Sequence, residues 1–375
     1  MFSLVFRILA IATTVFANTV VAASPELPVT VLDTAQFTNM NQLLERISNR
    51  RVIFVGEQHD RYEDHLDQLA IIEGLQARGH LLVIGMESFQ QPFQSALDAF
   101  IAGNIDDAEL LRRTEYFERW RYDYRLYRPL LHFARQQRIP MIALNLDAAL
   151  THKVGISGIG GLNEAERATI PTEIDRNDVA YRQRIEAVFN QHPNTQKADF
   201  EHFLDVQLLW DEGMAARAAQ ALIDYPNHTL VVFAGNGHLE YRQGIPNRLL
   251  RRQPISSAVL LNSAAYTPNA TLADFLLYPQ SAKLPPAGLL GVMLDPDING
   301  NGMIVKDFTE SSGAKTAGLI VGDRIVRIDT TPIANYSDIR IALLDHAPDQ
   351  TLAVEIERHK LVGKNERLTF SVKLN

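Results

Sequence analysis

Cysteine is entirely absent from the 375-residue sequence. This absence excludes a disulfide framework, an iron–sulfur cluster, a thiolate ligand to haem, a cysteine nucleophile and a lipid-modified cysteine as a membrane anchor. A fold of this size must then be held together by burial of apolar surface alone. The side chains that remain for metal binding or acid–base chemistry are those of His, Asp, Glu and Tyr.

The sequence also lacks any block of basic residues, and its formal net charge is −8. A protein with this charge distribution is not expected to bind nucleic acid. No apolar segment after the N-terminus is long enough to predict a transmembrane helix. The composition, 46% hydrophobic and 21% charged, is typical of a globular protein.

The N-terminal residues have the features of a secretory signal peptide. Arg7 precedes an apolar stretch at residues 8–17, and small residues follow up to Ala23. This pattern predicts cleavage after Ala23, with residues 1–23 removed. An anchor that is never cleaved is the alternative, although the apolar stretch is short for a bilayer. We therefore expect a periplasmic protein, secreted through a cleaved signal peptide and without a lipoprotein cysteine.

Five short apolar runs predict strands at residues 51–57, 80–88, 140–147, 229–238 and 257–264. Helical patterns lie between them, notably at residues 64–79, 127–140 and 199–226. Strands that are buried on both faces and separated by helices indicate a parallel α/β sheet flanked by helices. Helical insertions are predicted at residues 90–127 and 150–200.

The composition changes after Leu277, and this change suggests a division into domains. Residues 24–278 form the predicted α/β domain, and residues 279–287 are predicted to be a linker. The remaining residues, 288–375, contain short strand patterns around turns and one helix pattern. A second, small, β-rich domain is therefore predicted at the C-terminus.

Four of the predicted strands end in polar side chains: Glu57 and His59, then Glu87, then Asn145 and Asp147, then Asn236 and His238. The carboxyl ends of parallel strands meet at one edge of a sheet, where ligands of such folds bind. Buried carboxylates and imidazoles are costly unless they are paired or bind a ligand. The sequence therefore predicts one functional site at this edge.

Two types of chemistry are consistent with this set of residues. Glu57, His59, Glu87 and His238 can hold a divalent metal ion that activates a water molecule. Without a metal ion, the same four residues provide a general acid and a general base. His65 can face the same cleft, although a solvated or capping role is more typical of a single histidine there. Asp211, on the long predicted helix, can also point to this edge.

Four segments of the chain resemble the ChaN-like family of the haem-binding-uptake and TIKI superfamily: "VIFVGEQHD", "GMESF", "LWDEGMA" and "FAGNGHL". The resemblance covers roughly residues 35–270. It implies a site at Glu57, His59, Glu87 and residues 235–238. The ChaN branch is associated with haem binding and iron uptake, and the TIKI branch with metal-dependent peptide hydrolysis. A related branch cleaves erythromycin esters.

If haem is bound, its iron needs an axial ligand, and His or Tyr can serve. Residues 116–133 are rich in Tyr, Trp and Arg, so Tyr122, Tyr124 and Tyr127 are candidate iron ligands, with His59 and His238 next. Arginines of this segment can pair with haem propionates. The alternative for each tyrosine is a packing role in the helical layer.

The C-terminal residues resemble a PDZ domain of the kind attached to bacterial periplasmic proteases. "AGLIVGDRIVRIDTTPI" carries the resemblance, and "GLLGVML" resembles the carboxylate-binding loop with its following strand. The resemblance implies that Leu289, Leu290 and Gly291 hold a peptide C-terminus and that Val292 begins the strand to which the peptide adds. A packing domain without a peptide ligand is the alternative.

Two functions follow. The first is a periplasmic haem- or iron-binding protein whose PDZ domain binds C-terminal peptides of periplasmic proteins. The second is a metal-dependent hydrolase, a peptidase or esterase, whose PDZ domain recruits substrates. A pure scaffold leaves the polar strand ends unexplained. Peripheral membrane association and a homodimer remain open.

Overall fold

A computed structural model describes residues 38–191, 197–262, 266, 269–296, 302–360 and 365–375. The predicted signal peptide, residues 1–23, lies outside the described residues. Within the described part of the chain, no helix combines the length and apolar character that crossing a membrane requires. The described fold contains two sheets, both within one compact unit, Thr38–Asn375.

The first sheet has six strands: β1 (Val52–Glu57), β2 (Leu82–Gln90), β3 (Met141–Asn145), β4 (Thr229–Gly235), β5 (Ser257–Asn262) and β6 (Phe275–Leu277). All pairs are parallel, in the order β3-β2-β4-β1-β5-β6. The predicted parallel α/β sheet is thereby confirmed. The short edge strand β6 is an addition that the sequence pattern did not indicate.

Eleven helices of the described chain belong to this α/β domain: α1 (Met40–Ile47), α2 (Tyr62–Ala77), α3 (Gln94–Ile101), α4 (Asp107–Arg113), α5 (Tyr116–Arg119), α6 (Tyr124–Gln137), α7 (Ala148–Ser157), α8 (Glu164–Arg167), α9 (Val179–Phe189), α10 (Lys197–Asp224) and α11 (Ile245–Arg252). They cover both faces of the sheet. Alternate residues of β1 show this, since Ile53 packs in one apolar cluster and Phe54 in the other. The period of two follows from strand geometry.

The strand register brings several chain segments to the same edge. Glu57, the last residue of β1, pairs with Gly235, the last residue of β4. The ladder between β2 and β3 is regular as far as Met86 and resumes only at Gln90, which pairs with Asn145. Such an irregularity changes the direction of side chains, and bulges are common beside functional sites. Here the irregular stretch contains Glu87.

The second sheet is formed by β7 (Val292–Pro296), β8 (Met303–Phe308), β9 (Arg324–Ile328), β10 (Thr331–Pro332), β11 (Thr351–Arg358) and β12 (Glu366–Lys373), with helices α12 (Gly313–Ala317) and α13 (Tyr336–Ala342). The pairs are antiparallel, in the order β12-β11-β9-β8-β7, and β10 pairs with β9. Strand β7 is therefore an edge strand. The buried Asp323 holds the turn before β9, since it accepts the Ile320 N–H at 2.9 Å and two bonds from Arg358 at 2.7 Å.

The residues predicted as a linker are packed against the α/β domain. Leu284 is partly buried against its larger apolar cluster. The carbonyl of Pro285 accepts a hydrogen bond of 2.9 Å from the Arg125 guanidinium. Helix α13 of the second sheet also contacts α4 and α5. The two parts of the chain are therefore in direct contact through several segments.

Candidate functional site

A pocket of about 340 Å³ lies at the carboxyl edge of the parallel sheet. Its lining residues come from strand ends, from the segment around α5, and from α7 and α10: His59, Glu87, Ser88, Gln90, Arg119, Trp120, Tyr122, Asn145, Leu146, Ala148, Thr151, Trp210 and His238. Both tryptophans of the chain are among them. A larger cleft of about 650 Å³ adjoins it at Leu146, but none of the described residues that line it is a histidine. The chemistry is therefore concentrated in the smaller pocket.

Glu57 holds the Nδ1 side of the His59 ring. The Nδ1 atom of His59 lies 2.8 Å from Glu57 Oε1, whereas its Nε2 has no hydrogen-bond partner among the described residues. The same carboxylate accepts bonds from the Tyr127 hydroxyl at 2.7 Å and from Gln68 at 2.6 Å. A carboxylate on Nδ1 fixes the tautomer and the orientation of a histidine and raises its basicity. Nε2 is therefore left as the reactive nitrogen.

The electrostatics of this pair follow from its neighbours. Burial alone would raise the pKa of Glu57, but the charge of His65, the hydrogen bonds from His59 and Gln68 and the charge of His59 lower it to about 2. Burial would lower the pKa of His59, but the hydrogen bond to Glu57 and the charges of Glu87 and Glu57 raise it. Glu57 is therefore a stable anion that favours a proton on His59.

His238 is held by carboxylates at both ring nitrogens. Its Nδ1 lies 2.7 Å from Asp211 Oδ1, and its Nε2 lies 3.3 Å from Glu87 Oε1. Asp211 in turn accepts a bond of 2.7 Å from the buried Tyr181 hydroxyl. Burial would lower the pKa of His238, but the charges of Glu87 and Asp211 and their hydrogen bonds raise it to about 10. The two carboxylates therefore favour the imidazolium form of His238 at neutral pH.

Gly235 allows β4 to approach the pocket closely. Its N–H donates a hydrogen bond of 2.6 Å to Glu87 Oε2. A Cβ at this position would lie 2.9 Å from Cε1 and 3.0 Å from Nε2 of His59. The absence of a side chain at position 235 therefore lets His59 occupy its place in the pocket.

We expect Gly235→Ala to displace the His59 ring and to lower the free energy of unfolding by about 1–3 kcal/mol, as overpacking does elsewhere. Gly237→Ala is the matched control in the same loop, because no atom of the described residues lies within 4 Å of its added Cβ. Urea unfolding of the two variants is the measurement. Equal stability of Gly235→Ala and wild type would contradict the close contact.

An aromatic wall of Trp120 and Tyr122 stands beside His59. Ring centroids are 4.7 Å apart for His59 and Trp120, and 5.0 Å apart for His59 and Tyr122. The Tyr122 side chain is 37% exposed, so the wall borders solvent. Burial and the charges of Asp60 and Glu87 raise the pKa of Tyr122. Forming a phenolate there is therefore more costly than for a free tyrosine.

The structure brings only some of the predicted residues to the pocket. His59, Glu87 and His238 line it, as does Asn145, while Glu57 lies behind His59. No group of three or more His, Asp or Glu side chains in the described chain is arranged to hold a metal ion. The metal-binding role of these four residues stays a prediction: Glu57 is enclosed by its hydrogen bonds, and both ring nitrogens of His238 lie beside carboxylates.

Two of the three candidate tyrosines are not in the pocket. Tyr124 is fully buried, and its hydroxyl donates to Asp107 at 2.7 Å. Tyr127 is also buried and donates to Glu57. Both hydroxyls are thus engaged with carboxylates, and Tyr122 alone of the three lines the pocket.

Sequence reasoning missed some of the residues that support the two histidines. His65, for which the sequence left open a place at the cleft or a solvated or capping role, is buried, and its Nε2 lies 3.1 Å from the His59 carbonyl oxygen. Gln68 and Tyr181 were not identified, although Asp211 was. Gln68 follows His65 by three residues on α2, a spacing that places both on one helix face. That spacing could have indicated a shared buried role.

The backbone N–H groups of the predicted peptide site differ in whether they are already hydrogen-bonded. The Leu289 N–H donates to the carbonyl of Asn375 at 3.0 Å, so it is not free for a carboxylate. The N–H groups of Leu290 and Gly291 have no backbone acceptor among the described residues, and Gly291 has a φ of 73°. Val292 begins the edge strand β7 and pairs with Phe308 on its inner side. The loop therefore offers two backbone donors beside an open strand edge.

Comparison with known proteins gives the family of each part. The family described as "Haem-binding uptake, Tiki superfamily, ChaN" matches residues 43–249, which is more than half of the chain. The PDZ family matches residues 288–374. Both resemblances inferred from sequence motifs are thereby confirmed.

Individual relatives are more distant. RETICULATA-RELATED 5, a chloroplastic protein of Arabidopsis thaliana, is 27% identical over 257 residues, which cover 62% of this chain and 35% of that protein. The chain thus spans about a third of that relative's length. ChaN of Campylobacter jejuni, solved in a structure described as cofacial heme binding, is 15% identical with a TM-score of 0.53 and covers 65% of this chain and 92% of that one.

The PDZ domain of HtrA3, solved with a phage-derived ligand, is 21% identical with a TM-score of 0.20, over 24% of this chain and 85% of that one. The similarity to the Campylobacter protein establishes a shared fold over the α/β domain. Together with the two family matches, it shows that the chain belongs to the ChaN family of the haem-binding-uptake and Tiki superfamily and carries a C-terminal PDZ domain.

Proposed function

We propose that the protein binds haem in the pocket at the carboxyl edge of its parallel sheet. The observation that carries this proposal is His59, whose Nδ1 is held by Glu57 while its Nε2, beside an aromatic wall, has no hydrogen-bond partner among the described residues. A histidine held at Nδ1 by a carboxylate is the arrangement of many metal-bound histidines. His59 is thus a better axial ligand for haem iron than Tyr122, whose raised pKa opposes phenolate formation.

The rest of the pocket fits a flat, partly polar ligand. Trp120, Tyr122 and Trp210 offer aromatic surface for a porphyrin face. The Ser88 hydroxyl, buried at the pocket, has no hydrogen-bond partner in the described part of the chain, and a bound ligand is one explanation for such a group. Arg121 is exposed between Trp120 and Tyr122 in the chain and can pair with a propionate.

The openness of the aromatic wall suggests how haem is bound. Tyr122 is partly exposed, so one haem face would remain near the surface rather than in a closed slot. The related ChaN of Campylobacter jejuni is described as binding haem cofacially. Contact between two open pockets would bury the exposed faces, which supports a homodimer with haem.

Titration of the protein with haemin tests the proposal. We expect a saturable Soret band and, in parallel, quenching of tryptophan emission, because both tryptophans line the pocket. Metal analysis of the same sample distinguishes haem binding from loading with a divalent ion. A linear, non-saturable haemin response without quenching would exclude this pocket as a haem site.

We also propose that the protein acts in the periplasm and that its PDZ domain binds C-terminal peptides there. Residues 1–23 support secretion, and sequencing of the mature N-terminus tests it. The Leu290 and Gly291 N–H groups beside the edge strand β7 support capture of a terminal carboxylate with strand addition.

Amidation of a peptide should weaken its binding at least about tenfold, because hydrogen bonds to a charged group contribute roughly 1.5–3 kcal/mol. Calorimetry of the full chain with a decapeptide ending in valine, as free acid and as amide, is the measurement. Gly291→Ala should abolish binding, since its φ is 73° and an added Cβ would lie 2.7 Å from Ser312. Equal affinity of the acid and amide peptides would contradict carboxylate capture.

A second function, hydrolysis of an ester or peptide bond, is favoured by one observation: two imidazoles, each held by a carboxylate at Nδ1, share one pocket. His59 can accept a proton from water, and the His238 imidazolium can stabilise negative charge or donate a proton. Turnover of p-nitrophenyl acetate that is lost in His59→Ala would support it. A chelator-resistant rate would further favour acid–base chemistry by these side chains.

A further inference from the structure

The wall of the pocket is built from a short segment between α4 and α6. Residues 115–123 contain α5 and contribute Arg119, Trp120 and Tyr122 to the lining. Two non-glycine residues of this segment have left-handed backbone conformations, Glu115 with φ 48° and Arg121 with φ 70°. Such conformations are costly and persist only where surrounding contacts enforce them. The contacts that hold this segment therefore decide the shape of the wall.

Several of those contacts come from the PDZ domain. The Ser337 hydroxyl donates a hydrogen bond of 2.6 Å to Glu118, one residue before Arg119. The Arg340 guanidinium lies 4.8 Å from the centroid of the Phe117 ring, and it lies 3.9 Å from the carboxylate of Asp123. Helix α13 thus contacts the wall segment near its start, its middle and its end.

An ion pair and buried side chains also stabilise the contact between α13 and the α/β domain. Arg112, on α4, pairs with Asp338 of α13 at 3.1 Å. Ser337 and Asp338 are both buried, and Ile341 belongs to the larger apolar cluster of the α/β domain. A side chain from α13 therefore completes the core of the other domain.

The opposite side of α13 packs on the PDZ core. Ile339 and Leu343 share one apolar cluster with Val292 and Leu294, which belong to the edge strand β7. This is the strand to which a peptide would add. One helix thus lies between the peptide strand and the pocket wall.

We infer that Ser337 and Arg340 of the PDZ domain are positioning residues for the pocket, and that they act by holding the segment that carries Trp120 and Tyr122. The pocket and the peptide strand are then linked through α13, and any coupling between their ligands is reciprocal. The inference deepens the proposed haem function, but the position of Trp120 can be measured without haem.

Tryptophan emission provides that measurement. In a Trp210→Phe background, Trp120 is the sole tryptophan of the chain. Adding Ser337→Ala with Arg340→Gln should shift the Trp120 emission to longer wavelength, because the wall loosens and water reaches the indole. Haemin affinity in the same background should fall about 3- to 10-fold, the range expected for mutations that act through a packed network.

Matched controls separate positioning from general destabilisation. Ser371→Ala with Arg327→Gln makes the same two changes on β12 and β9 and should leave emission and affinity unchanged. Ser337→Thr with Arg340→Lys keeps the hydroxyl and the charge and should largely restore both signals. Circular dichroism at the titration temperature verifies folding, and if the double variant does not fold, Ser337→Ala alone is compared with Ser371→Ala.

The possible outcomes are distinct. A shifted Trp120 emission in the interface variant but not in the controls supports the inference, even if haemin fails to bind the wild type, which would refute only the haem proposal. Unchanged Trp120 emission in the folded interface variant overturns the inference, whether or not haemin binds.

Discussion

His59→Ala should raise the dissociation constant for haemin at least about 100-fold and remove the Soret shift of the bound form. The reason lies in the two ring nitrogens of His59. Among the described residues that line the pocket, only His59 has one ring nitrogen held by a carboxylate and the other, Nε2, without a hydrogen-bond partner. Glu57→Gln keeps the shape but removes the anion behind the imidazole, and changes of this kind cost about 10- to 100-fold in metal affinity. Haemin titration followed by absorbance at the Soret band measures both effects.

Two tyrosine variants serve as controls for this result. Tyr122→Phe should weaken haemin binding only slightly, because it retains the ring of the wall. Tyr124→Phe should leave the spectrum unchanged, since its hydroxyl is bonded to the buried Asp107. A spectrum that shifts in Tyr122→Phe but persists in His59→Ala would assign the iron to the phenol.

Acid should also weaken haemin binding, because a proton competes with iron for His59, whose pKa is raised.

Stability should fall as the pH rises from about 7 towards 10, and His238 is the cause. Its pKa is about 10 in the folded protein and about 6.5 in an unfolded chain. A raised pKa contributes stability that is fully present below the unfolded value and is lost as the pH passes through the folded value. The steepest slope from one group is about 1.4 kcal/mol per pH unit, so a loss of roughly 2 kcal/mol between pH 7.5 and 9.5 is expected.

Chemical unfolding at several pH values measures this loss. His238→Gln removes the titrating group, so it should be less stable than wild type at pH 7 but nearly flat towards pH 10, where the two curves converge. The exposed His152→Gln is the matched control and should follow the wild-type curve. Parallel curves for wild type and His238→Gln would show that the imidazolium between Asp211 and Glu87 is not formed.

The fold was largely accessible from the sequence because buried parallel strands have an unmistakable pattern. Each of the five apolar runs corresponds to a strand of the sheet, and parallel pairing dictates that their carboxyl ends share one edge. Edge strand β6, only three residues long, has too few side chains to produce a pattern. The PDZ domain was recognised through its turn sequence, which specifies the backbone at Asp323.

Details of the site depend on how deeply each side chain is buried and on the direction in which it points, and a single sequence specifies neither. Glu57 ends β1, whereas His59 lies two residues beyond the strand, and only the folded chain places one behind the other. The tyrosines were more predictable. Tyr124, Tyr127 and Leu131 recur at spacings of three and four on α6, which is the pattern of a buried helix face. Tyr122 precedes the helix and therefore does not belong to its buried face.

The burial of Ile341 among side chains of the α/β domain has a consequence for how this chain can evolve and be divided. PDZ domains are often transferable modules joined by flexible tethers, but here removal of the domain would leave an apolar recess on its neighbour. The recess would expose Phe117 and the residues around it to water. The two parts should therefore unfold in one calorimetric transition rather than two. A truncated protein that ends near residue 278 should aggregate and be degraded rapidly by proteases.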